Sequence, residues 1–124
     1  MPDGQESGLD RLTADDIEVV RQCLRAAVNG TFFPDWEFSL LIGPERDEVA
    51  EVLERWPDSK NPEIQDVAVN NVLNNFLGYP GVEWDGAEWR EYISVGPREV
   101  AAVLSRWGGE DFDDSARGYF DRMR

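Results

Sequence analysis

The side chains that could do chemistry in this chain are carboxylates. Glu83, Asp85, Glu88 and Glu91 fall in one aromatic-rich stretch with Trp84, Trp89 and Tyr92. Two carboxylates held in an apolar cleft run hydrolytic chemistry or hold Mg²⁺. Histidine is absent, which closes Ser-His-Asp and Cys-His catalysis, imidazole general bases and imidazole metal ligands. Cys23 is the single cysteine, so no intrachain disulfide and no cysteine zinc site can form. It lies among Val19, Val20, Leu24 and Ala27 at helical spacing and reads as a small buried apolar residue, not a nucleophile. No P-loop, dinucleotide fingerprint or EF-hand spacing occurs. The carboxylate group is local and no second motif meets it. No catalytic residue, metal or cofactor is therefore assigned, and a carboxylate-based metal-dependent enzyme or small-ligand-binding protein stands as the alternative.

The elements that would position these residues are mainly helical. Thr13-Ala14-Asp15-Asp16 puts a capping hydroxyl ahead of an acidic first turn. From Ile17 the apolar residues recur with a helical period, and Asn29-Gly30 ends the helix. TFFPDWEFSLLIG, which follows, has two readings. As a strand, Trp36, Phe38, Leu40 and Ile42 alternate to one face. As a short helix, Pro34 opens it, Phe38, Leu41 and Ile42 share a face, and Gly43 stops it. In EVAEVLERW, Val49, Val52, Leu53 and Trp56 define one helix face that Pro57 ends. Asn61-Pro62-Glu63 caps the next helix, Ile64 to Leu77 carries it and Gly78 closes it. Beyond the turn-rich YPGVEWDG, Asp85-Gly86-Ala87-Glu88 has capping-box spacing. Trp89, Tyr92 and Ile93 stand at helical spacing. EVAAVLSRW then forms a helix stopped by Gly108-Gly109, and SARGYFDRM reads as a short C-terminal helix.

EVAEVLERW and EVAAVLSRW are nearly one phrase written twice. Upstream of each lies a Trp, six residues and Gly-Pro: Trp36 with Gly43-Pro44, and Trp89 with Gly96-Pro97. Further back, VVRQCLRAAVN lies over AVNNVLNNFLG. Residues 13–56 and 61–107 thus read as one three-helix unit repeated. The expected fold is mainly α, two such units packed about a pseudo-two-fold axis plus the C-terminal helix; short strands at 36–42 and 89–95 in an α+β fold are the alternative. Each unit carries an apolar face that it cannot cover alone, and Trp56 and Trp107 would anchor the joint core. Arg55 and Arg106 would snorkel or pair with an acid near a helix end. Residues 1–12 read as a flexible acidic tail and 13–124 as a single domain.

Function should lie where the copies diverge. Glu18, Arg21, Gln22 and Arg25 of the first helix align with Val67, Asn70, Asn71 and Asn74, and Asn75 completes an amide stripe. Asn is a poor helix former, so uncharged amides fit a partly buried face that needs hydrogen bonds. They either bond a neighbouring loop such as YPGVEWDG or, with Asp85 and Glu88, form a polar ligand or interface face. In the repeated helix, copy one carries Glu45, Asp47, Glu48, Glu51, Glu54 and then Asp58. Copy two offers Glu99 but has Ala102 and Ser105 where copy one has Glu51 and Glu54. That acidic ridge is either a solvated face or a docking surface for a basic protein.

The formal net charge of −14 opposes nucleic-acid phosphates and anionic lipid and favours a basic protein partner. The Gly-Pro turns between helices resemble a helix-turn-helix, but no basic stripe follows them. No apolar run has membrane-spanning length, and MPDGQESGLD lacks the features of a secretory signal, so a cytoplasmic protein is expected. The profile is that of small acidic proteins that neutralise a basic toxin or effector, an immunity- or antitoxin-like interaction module. FFPDWEF, LNNFLGYPG and the W…GP…EVAxVLxRW unit resemble small uncharacterised bacterial proteins over residues 13 to 107; the resemblance implies no activity.

Overall fold

In a computed structural model, residues 8–108 are described, and they hold six α-helices and no strand. The chain runs α1 (Ala14–Asn29), α2 (Asp35–Ile42), α3 (Arg46–Arg55), α4 (Pro62–Gly78), α5 (Ala87–Tyr92) and α6 (Pro97–Gly108). A 3-10 turn, Gly8–Arg11, precedes them. The strand alternative at 36–42 and 89–95 is overturned: α2 occupies the first segment, and α5 takes the second up to Tyr92 with no strand beyond it. Phe38 and Ile42, one helical turn apart, both enter the core, while Trp36 and Leu40, which a strand would place on the same face, are exposed. The SARGYFDRM helix lies outside the described residues.

Local chemistry sets the ends. Thr13 accepts from the Asp16 N–H, and the Asp16 carboxylate accepts from the Thr13 N–H, a reciprocal box that starts α1. The Asn61 side chain accepts from the Ile64 N–H ahead of Pro62. A cis Trp56–Pro57 peptide follows α3. Gly43 ends α2 at φ 104°, a left-handed conformation that costs a side-chain-bearing residue strain. At α5 the structure departs from the sequence: Gly86 is the N-cap and Asp85 is not. Glu88, expected to complete that box, is held instead by Thr31.

The long helices α1 and α4 pack on each other at the centre. Both α3 and α6 touch both of them, while α2 lies on α4 and α5 on α1. Val20, Cys23, Leu24, Val69, Val72, Leu73 and Phe76 form the buried middle. Phe32 and Phe33 meet Phe76 with ring centroids 4.9 and 5.0 Å apart. Trp56 and Trp107 meet at 6.3 Å, and the Trp56 indole N–H donates to the Ile17 carbonyl. Residues 8–12, read from sequence as part of a free tail, are seated: Leu9 and Leu12 pack on the core. A Cβ placed on Gly8 would fall 2.6 Å from the Trp107 ring. Arg11 donates to the carbonyls of Arg106 and Trp107 at the end of α6.

The burial pattern recurs, but not in the register that the Gly-Pro pairs imply. Phe38 and Trp89, Ile42 and Ile93, Val49 and Val100, Val52 and Val103, and Trp56 and Trp107 are all buried, each pair at the same spacing of 51 residues. Aligning Trp36 with Trp89 instead pairs a residue 75% exposed with one 2% exposed. The Gly-Pro match misleads because Gly43-Pro44 precedes α3 while Pro97 is already its counterpart's first helical residue.

Candidate functional site

The acidic residues of the ridge are exposed, but they do not act alike. The Glu48 carboxylate accepts from the Glu45 backbone N–H at 2.8 Å, so Glu48 serves the start of α3. Asp47, Glu51 and Glu54 stand on the outer side of α3, opposite buried Val49 and Val52, and Asp58 lies beyond Pro57. None of those four makes an ion pair among the described residues.

Arg46 interrupts the ridge by turning inward. Its guanidinium donates to the carbonyls of Ala27, Val28 and Phe33, at 2.9, 3.1 and 2.9 Å. It also lies 4.4 Å over the Phe38 ring and pairs with Asp35 at 2.8 Å. One side chain thereby satisfies carbonyls at the end of α1 and fixes the path into α2. The signal for it was an arginine alone in a run of acids.

The amide stripe divides in the same way. Asn71 donates to the Ile42 carbonyl at 2.7 Å, and Asn75 donates to the Leu41 carbonyl at 3.1 Å. These are carbonyls left over where α2 ends, so the amides bond α2 and not the YPGVEWDG loop. Asn70 donates to Asn71, and Asn70 and Asn74 are exposed. At the position of α1 aligned with Asn71, Gln22 accepts from the N–H and hydroxyl of Ser94, just past α5. Asn70 and Asn71 also line an open cleft of about 370 Å³ with Gly8, Arg11, Asp66, Val67 and Trp107.

The carboxylate stretch does not converge. Glu88 accepts from the Thr31 N–H and hydroxyl, tying the loop after α1 to α5. Asp85 is exposed, and its backbone carbonyl accepts from Arg90. Trp84 and Trp89 turn their indole N–H groups onto the carbonyls of Phe76 and Val95. Among the described residues no three or more metal-ligating side chains come together.

Titratable groups are tuned by structural partners. Burial raises the Asp16 carboxyl, but bidentate bonding from Arg106, with Thr13 beside it, outweighs that and leaves its pKa below the usual carboxylate value. Arg106 thus pairs with the start of α1, an acid the sequence left unnamed. The Tyr79 hydroxyl donates to Glu37 at 2.6 Å, and that bond holds its pKa up. Complete burial pushes the Cys23 thiol far up, which leaves it without nucleophilic thiolate.

Sequence reasoning missed one surface feature. Trp36 and Leu40 are 75% and 80% exposed, one turn apart on the outer side of α2. The helical reading of this segment contained the signal, because placing Phe38, Leu41 and Ile42 inward leaves Trp36 and Leu40 outside. No family model matches the chain, and neither the curated proteins nor the solved structures compared with it give a match.

Proposed function

We propose that this chain is a non-enzymatic, acidic protein-interaction module of the cytoplasm, immunity- or antitoxin-like, that binds a partner with a basic surface and not nucleic acid or membrane. The observation that carries this reading is that Asp47, Glu51, Glu54 and Asp58 are exposed without an internal ion-pair partner among the described residues, in a chain of net charge −14. Charges arranged in this way steer a basic partner and make association salt-dependent. No helix of the described residues is long and apolar enough to cross a membrane. The carboxylate-enzyme alternative draws no support from where Asp85 and Glu88 lie.

The recurring burial pattern and the matched helix contacts support the further proposal that 13–56 and 61–107 descend from one duplicated unit.

The test is the salt dependence of binding to the basic partner isolated from the native cell. Affinity should fall steeply between low and physiological salt. The triple variant Asp47→Asn, Glu51→Gln, Glu54→Gln should flatten that slope. Glu48 is left in place because it caps α3. An affinity indifferent both to salt and to these substitutions would reject the reading.

A further inference from the structure

The two short helices give an internal comparison for the exposed Trp and Leu. At the 51-residue spacing that matches the buried positions, Trp36 corresponds to Ala87 and Leu40 to Glu91. Ala87 and Glu91 are exposed and of ordinary surface type. The inward residues of α2 and α5, Phe38 with Trp89 and Ile42 with Ile93, are apolar in both. The scaffold therefore needs apolar residues on the inner side of this helix and none on the outer side. Trp36 and Leu40 contribute nothing to the core that Ala and Glu fail to contribute in α5.

The apolar surface continues from α2 onto α4. A Cβ on Gly43, three residues beyond Leu40, would fall 3.3 Å from Val67. Val67 is the other large exposed hydrophobic of the described residues, at 44%. The apolar strip is Trp36 and Leu40 on the outer side of α2, with Val67 against Gly43 where that helix ends. The α2–α4 seam beneath it is joined by the Asn71 and Asn75 bonds to the end of α2 and by the Tyr79–Glu37 bond. Exposed acids flank the strip at Val67, where Glu63 and Asp66 stand on α4. The two cations near it are engaged within the chain: Arg46 with main-chain carbonyls and with Asp35 beside Trp36, and Arg11, which lines the cleft beside Val67, with the carbonyls that end α6.

We infer that the Trp36–Leu40–Val67 strip is the docking site for an amphipathic helix of the partner, with apolar residues at i and i+4 flanked by Arg or Lys. This rests on the basic-partner reading above and adds to its acidic ridge a second, apolar contact. An exposed Trp in a polar rim is the residue type that dominates binding energy once desolvated, and its ring face also accepts a cation. An apolar stripe one helical turn long matches the i, i+4 spacing of a docked helix. Charge complementarity selects the basic occupant: a second copy of this chain would bring two acidic rims together.

The test is fluorescence anisotropy with two dye-labelled synthetic helical peptides and the full chain. Both peptides carry Leu at i and i+4; one has Arg on the flanks and the other Glu. The variant Trp36→Ala, Leu40→Glu installs the residues that α5 carries, and its melting temperature should equal that of the wild type. Binding of the Arg peptide to wild type, at least tenfold weaker in this variant, with no binding of the Glu peptide, supports the proposal. Equal Arg-peptide affinity in both proteins overturns the site and leaves the basic-partner reading standing. Loss of both peptides in the variant, after equal binding to wild type, overturns the basic occupant. Absence of binding by either peptide overturns the proposal. Sedimentation showing a wild-type dimer that the variant lacks assigns the strip to a second copy and overturns it also.

Discussion

Asp16 shows how one side chain can serve two ends. It closes the box that starts α1 and receives both bonds of the Arg106 guanidinium from α6. Its folded-state pKa lies below the ordinary value, so the unfolded chain binds its proton more readily. Its contribution to stability is therefore full above the unfolded carboxylate range and is lost as pH falls through the folded value. Denaturant melts across the acid range should show a loss in wild type that Asp16→Asn lacks, with the variant already less stable at neutral pH. Had the pair no role, the two curves would stay parallel.

Between elements, the connections are fixed by polar side chains reaching main-chain carbonyls that a helix end leaves unpaired. Arg46 does this for α1, Asn71 and Asn75 for α2, and Arg11 for α6. Glu88 does the converse, accepting from the Thr31 N–H. Bonds from a charged donor contribute about 1.5–3 kcal/mol each, and truncation leaves buried acceptors unpaired. Arg46→Ala should therefore destabilise the protein by about 3 kcal/mol. Arg46→Lys should recover only part of that, because an ammonium cannot span three carbonyls and lie flat on Phe38. Chemical denaturation of the two variants checks this; a loss under about 1 kcal/mol in Arg46→Ala would mean that water replaces the guanidinium.

At the scale of the whole molecule, α1 and α4 form the spine, and the ends of α3 and α6 meet through Trp56 and Trp107. Both indoles are more than nine-tenths buried, at 8% and 7% exposed. Trp56→Ala removes a large ring and leaves the Ile17 carbonyl without the indole bond. A loss of about 3–5 kcal/mol is expected from calorimetry or denaturant melts. Trp56→Phe should retain much of that packing. Trp36→Ala, by contrast, should leave stability within about 0.5 kcal/mol of wild type, as surface substitutions do.

What was legible in the sequence was whatever depends on neighbours along the chain. The helical periods of α1, α3, α4 and α6 and the caps at Thr13 and Asn61 needed only local residues, because hydrogen bonding and burial there recur every turn. The repeated phrase likewise exposed its own core positions, Val49 with Val100 and Trp56 with Trp107. The sequence also determined the charge and the lack of imidazole chemistry. The tertiary structure decided everything that joins residues distant in the chain. It turned Arg46 inward, gave Asn71 and Asn75 to the end of α2, paired Arg106 with Asp16 and tied Glu88 to Thr31. It also set the register of the short helices, placing Trp89 inside and Trp36 outside. The physical reason is that a carbonyl orphaned at a helix end, or one side of a short helix, has no preferred partner until the other helices have packed against it.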